Sequence, residues 1–213
     1  NRVANGGYAP GAWNAQAGTS TNMNSQLMSL IGQVSGGVSE GCYPVINRCN
    51  IFLENYATLS DADKKKMEGR RGEILFLRTY AYFILSNTFG AVPIMTKSVS
   101  GMPENFYYPK GTLEELYSML INDMKEAVEI LPATTGDLGR ITKPAAATFL
   151  AKLFLVRAQG AEFQNSSEPT LKALYKGTDS EDLDNAIKYA TVAISQKQNE
   201  TALLFHITFD SAK

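Results

Sequence analysis

The sequence predicts a mostly α-helical fold of tetratricopeptide-like helix pairs, with irregular Gly- and Asn-rich loops between and before them. Three observations carry that prediction. Residues 73–89 put apolar or aromatic side chains on nearly every face of a 3.6-residue helix: Ile74, Leu75, Phe76, Leu77, Tyr80, Ala81, Tyr82, Phe83, Ile84 and Leu85. A helix of that kind is packed on all sides, so it is expected at the centre of the core. In residues 113–131 the apolar positions Leu113, Leu116, Tyr117, Leu120, Ile121, Met124, Ala127, Val128 and Leu131 recur at three and four, as one amphipathic face. A third stretch is rich in small side chains, and Ala147, Ala151 and Ala158 allow a neighbouring backbone to come close, as helix hairpins require.

Composition sets the outer bounds. The chain has 213 residues, of which 44% are hydrophobic and 19% charged, enough for one sizeable core in a single domain, 1–213. Within it, 1–42 reads as irregular surface structure, 43–200 as the helical scaffold, and 201–213 as the start of a further part. A formal net charge of −1 gives no long-range pull on nucleic acid or anionic lipid. The single basic run, Lys64-Lys65-Lys66, sits where a helix begins and is expected to face solvent.

The two cysteines, Cys42 and Cys49, would stand about 10 Å apart on one helix, too far to bridge. With His206 as the only histidine, no four-ligand zinc site can be assembled. No signal peptide or acylation cysteine stands near Asn1, so the chain is expected to begin inside a longer precursor.

Taken in order, residues 1–42 are turn-forming and polar, with Ser25 to Val34 able to form a short helix. Tyr8, Trp13 and Asn14 stand out there. The simpler reading is that Trp13 plugs the edge of the core; the functional one is that an indole on a loop beside amides suits the C–H face and the hydroxyls of a pyranose. Gly37-Val38-Ser39-Glu40-Gly41 matches the G-x-S-x-G pattern of serine hydrolases, and His206 follows it. No buried strand precedes Gly37, however, so a turn into a helix is the simpler reading.

Residues 43–56 form the next helix, with Pro44 in its first turn. Ser60 followed by Asp63 opens the long core helix, which Gly90 closes and Pro93 keeps from resuming. Arg78, deep in that helix, is expected to pair with a carboxylate such as Glu54 or Glu73. In residues 94–111, Pro103 and Pro109 bracket Phe106, Tyr107 and Tyr108, which either anchor the loop or, like Trp13, offer a ligand surface.

Thr112 and Glu115 form a capping box for the next helix, and Pro132 ends it. A last helix is expected from Leu183 to Ser195. The acids Asp179, Glu181, Asp182 and Asp184 before and within it lack the glycine of a calcium loop and favour a helix N-terminus instead.

One segment goes beyond periodicity. The run Glu73-Ile-Leu-Phe-Leu-Arg78-Thr-Tyr80-Ala-Tyr82-Phe83, closing on Phe89-Gly90-Ala-Val92-Pro93, resembles the signature of SusD/RagB-type lipoproteins. Tyr43, Ile46 and Asn50 resemble the element that opens that family's helical part, and Arg140 with the aliphatic residues 150–155 resembles a later one. The resemblance covers about residues 43–195 and departs from the pattern in the longer insertion 160–182. It implies a fold of four irregular helical repeats and an outer-membrane, lipid-anchored protein at the cell surface. Such a protein would have no catalysis and no cofactor.

Its implied partners are a SusC-like TonB-dependent transporter and an oligosaccharide or peptide nutrient. Family members extend for a couple of hundred residues more, so the chain is expected to be incomplete. The candidate ligand residues are Tyr8, Trp13, Asn14, Tyr107 and Tyr108. Two alternatives are kept: a soluble helical-repeat adaptor gripping another protein in a groove, and an esterase using Ser39.

Overall fold

The structure, a computed structural model, describes residues 20–100, 108–137, 139–162 and 179–195. Among the described residues five helices follow one another: α1 (Ser20–Ala57), α2 (Asp61–Phe89), α3 (Leu113–Ile130), α4 (Lys143–Glu162) and α5 (Asp179–Ser195). Among the described residues there is no strand, only an isolated antiparallel bridge between Pro93 and Lys110. No described helix is long and apolar enough to cross a membrane. By compactness the chain divides into two units, Asn1–Gly41 and Cys42–Lys213.

In the first unit the described part is the helical backbone of residues 20–41, which corrects the expected irregular region with a short helix. The sequence supplies the reason: Met23, Leu27, Ile31, Val34 and Val38 recur at four, four, three and four. The same helix runs on to Ala57, so Pro44 lies inside α1 rather than in a first turn. Gly37 to Gly41 is therefore helical, and Ser39 is not on the strained strand-to-helix turn that a hydrolase nucleophile needs.

In the second unit the helices pack in chain order, α2 on α3, α3 on α4 and α4 on α5, as stacked hairpins do. Their ends follow the sequence. Ser60 caps α2 by accepting from the Asp63 amide, with Asp61 and Asp63 in the first turn, where the helix dipole favours acids. Gly90 ends it at φ 70°, a left-handed value that suits glycine, and donates its amide to the Ser86 carbonyl. The Thr112–Glu115 capping box is complete in both directions.

The core is centred on Tyr82, Tyr117, Phe149 and Phe154, each almost wholly buried. Small side chains on α4 allow the packing on both its flanks: Ala145, Ala146, Ala147, Ala151 and Ala158 are all buried. At the far end Arg157 clasps Asp182 through two hydrogen bonds of 2.8 and 2.5 Å, and the Phe154 and Tyr189 rings stack at 5.8 Å. The acids around 179–184 thus fall in the opening turns of α5, and Asp182 serves the α4–α5 joint. Among the described residues no cluster of His, Cys, Asp or Glu could hold a metal ion.

Cys42 and Cys49 are free and buried, and burial pushes the Cys49 thiol up to about 11, which keeps it unreactive.

One expectation about α2 fails locally. The helix is not covered all round, because Leu77 and Tyr80 each remain 42% exposed on one face.

Candidate functional site

Two features of the second unit are built well enough to carry function. The first starts from Arg78, whose guanidinium is only 8% exposed and cannot be left unpaired at that depth. Its partner is not Glu54 or Glu73, as local spacing suggested, but Asp123 on α3. Nε and Nη2 each donate to that carboxylate at 2.8 Å. The remaining arm, Nη1, donates to Asn50 Oδ1 at 3.0 Å. Burial raises the Asp123 pKa, while Arg78 pulls it back down.

Asn50 is fully buried and uses its amide nitrogen in the opposite direction, donating to the carbonyls of Met95 at 2.8 Å and Lys97 at 3.0 Å. The Tyr82 hydroxyl donates to the Met95 carbonyl and accepts its amide at 2.6 Å. Further out, Glu54 accepts from the Ser98 amide at 2.7 Å and Asn47 from the Val99 amide at 2.9 Å. That hydrogen bonding holds the Glu54 carboxyl below its ordinary value. The segment after α2 is thus fixed by side chains of α1 and α2 in place of a sheet ladder. It leads toward the aromatic loop.

The second feature is a groove of about 420 Å³ lined by Glu73, Phe76, Leu77 and Tyr80 of α2 and by Gly139, Arg140 and Ile141 from the α3–α4 connection. Tyr80 lies nearly parallel to Phe76, 13° between planes and 6.5 Å between centroids, and tilted against Phe149 at 5.8 Å. On the charged wall Glu73 accepts from Arg140 and, at 3.3 Å, from Arg70. Burial raises the Glu73 pKa, and Arg70 opposes the rise.

Of the residues singled out from the sequence, Tyr8, Trp13, Asn14 and Tyr107 lie outside the described residues, as do His206 and residues 201–209. Tyr108 is described and is half-buried. Sequence reasoning missed the Tyr80 groove, although Glu73, Leu77 and Tyr80 stand at i, i+4 and i+7, the spacing of one helix face.

A family model described as starch-binding and associating with the outer membrane, that of SusD-like proteins, matches residues 12–155. The chain belongs to this SusD-like family. It is 29% identical over 126 residues to SusD-like protein P2 of Formosa agariphila, covering 59% of this chain and 24% of that protein. It is 26% identical over 95 residues to SusD-like protein P38 of the same organism, covering 45% of this chain and 18% of that one. The chain thus spans a quarter or less of the curated relatives it matches.

Among solved structures it is similar to a SusD-like protein from Bacteroides fragilis, with 26% identity and a TM-score of 0.58 over 78% of this chain and 28% of that one. A structure solved with a xylogluco-oligosaccharide shares the fold at 24% identity and a TM-score of 0.64, over 83% of this chain and 33% of that one.

The SusD-like signature residues acquire physical roles from this geometry. Tyr43 donates to the Pro93 carbonyl at 3.4 Å, Asn50 holds Met95 and Lys97, and Arg78 ties both helices to α3. Glu73 and Arg140, far apart in sequence, meet in the groove.

Proposed function

We propose that this SusD-like chain is part of a non-catalytic cell-surface protein that holds a glycan or oligosaccharide and caps a SusC-like TonB-dependent transporter. A lipid anchor on the full-length protein would keep it at the outer membrane. The observation that carries the reading is the family match over residues 12–155, whose description joins starch binding to the outer membrane. The architecture supports it. A stack of helices tied by buried ion pairs is a rigid base, and loops on such a base meet a ligand at low ordering cost.

The proposed ligand groups are Tyr8, Trp13, Asn14, Tyr107 and Tyr108, aromatic faces for sugar C–H groups and amides for hydroxyls. No chemistry is asked of the protein, and the helical setting of Ser39 offers no nucleophile elbow. The test is a pull-down of the full-length protein from outer membranes, followed by a glycan array. Co-purification of a TonB-dependent transporter and retention of a glycan are expected. Recovery without a transporter, or a blank array, overturns the respective half of the reading. Within it, Trp13→Ala should weaken glycan binding with little change in melting temperature; a lower melting temperature at unchanged affinity makes Trp13 a core plug.

A further inference from the structure

We propose that the groove between α2 and the α3–α4 connection is an oligosaccharide subsite. Tyr80 is the stacking platform for one sugar ring, and the Arg140–Glu73 pair is the partner of its hydroxyls. The proposal rests on the glycan-holding reading and adds a site apart from the loop residues named there.

Tyr80 is the first reason. Its neighbours Ala81, Tyr82 and Phe83 are all buried, yet Tyr80 keeps 42% of its surface open. Phe76 and Phe149 hold the ring from within, so its orientation is set before any ligand arrives. A preset aromatic face binds at low entropic cost and suits the C–H side of a pyranose.

The charged wall is the second. Glu73 is shared between Arg140 and Arg70, and Arg140 is 35% exposed. A guanidinium carries five N–H donors, and pairing Nη2 with Glu73 leaves others on the same rigid plane. Fixed donors and a carboxylate beside an aromatic face match the alternating hydroxyls and C–H patches of a sugar. A purely apolar occupant would have no use for them.

Size is the third. The groove's volume of about 420 Å³ lies in the lower part of the range of roughly 300–1,000 Å³ typical of small-ligand clefts. It is therefore suited to a short stretch of an oligosaccharide.

The experiment uses the full-length protein and a glycan array that includes maltoheptaose and a xylogluco-oligosaccharide. Titration calorimetry with each retained sugar then compares wild type, Tyr80→Ala and Tyr80→Trp. Tyr80→Ala is expected to weaken binding by at least about tenfold, and Tyr80→Trp, which keeps a stacking face, to hold it within roughly threefold. If wild type binds and Tyr80→Ala keeps its affinity, the subsite is wrong while the glycan-holding reading stands. If Tyr80→Ala and Tyr80→Trp both lower the melting temperature while affinity holds, Tyr80 is covered by protein and the subsite is again wrong. If wild type retains no sugar, the glycan-holding reading fails and takes the subsite with it.

Discussion

Arg78 and Asp123, 45 residues apart in sequence, meet face to face, with two parallel hydrogen bonds of 2.8 Å joining α2 to α3. The third arm of Arg78 passes through Asn50 to the carbonyls of Met95 and Lys97. One guanidinium therefore ties together α1, α2, α3 and the segment that follows α2.

Removing one partner should be far worse than removing both. Arg78→Met strands a buried carboxylate and is expected to cost about 3–5 kcal/mol, whereas the double variant Arg78→Met/Asp123→Leu should recover most of that loss. Urea denaturation midpoints of the three proteins check it. A single variant within about 1 kcal/mol of wild type would show that the pair does not carry the joint.

How far the sequence disclosed this arrangement depended on distance along the chain. Helix ends were legible because their causes are local: Ser60 with Asp63, Thr112 with Glu115, and Gly90 before Pro93 each act within a few residues. The partner of Arg78 was not legible, since nothing in a helical repeat distinguishes Asp123 from nearer acids until α3 folds back. Pro44 misled for a related reason. A proline reads as a first-turn signal unless apolar positions upstream continue the repeat, as Leu27, Ile31, Val34 and Val38 do. The Tyr80 groove was hidden in plain view, because a helix greasy on every face gives no hint of which stripe stays open.

Two glycines of α2 should respond in opposite directions to alanine. A Cβ at Gly72 would lie 2.8 Å from Leu131 Cγ and 3.0 Å from Ile130 Cγ1, so Gly72→Ala overpacks the α2–α3 contact. The expected loss is about 1–3 kcal/mol. Gly69, three residues earlier, has nothing within 4 Å of such a Cβ. Gly69→Ala should therefore gain about 0.5–1 kcal/mol from reduced backbone freedom in the unfolded chain. Thermal melts of the two variants test the pair, and equal shifts would contradict the close approach at Gly72.

Tyr82→Phe isolates the anchor of the segment after α2. The ring stays packed and the Met95 carbonyl keeps its bond from Asn50, but the Met95 amide loses its partner. The expected cost is about 1–3 kcal/mol, because a shielded backbone amide left without a partner keeps its desolvation penalty. Amide exchange should quicken at Met95 while the α3 and α4 core stays protected. Unchanged exchange at Met95 would mean that Asn50 alone holds the segment.

The Glu54–Ser98 contact supplies a pH test, and the direction follows from the sign of the shift. Hydrogen bonding from Ser98 lowers the folded-state pKa of Glu54 below its ordinary 4.5. The contact is therefore fully present above 4.5 and is lost only as pH falls through the lower folded value. Whole-protein stability is a poor readout, because Asp123 runs the other way. Burial lifts its pKa above 3.8, so charging it costs stability as pH rises from there through its folded value. A local probe avoids the overlap: the Ser98 amide resonance, followed from neutral pH downward, should move with a midpoint below 4.5. In Glu54→Gln that transition should vanish. A wild-type midpoint at or above 4.5 would mean that the carboxylate does not hold Ser98 in solution.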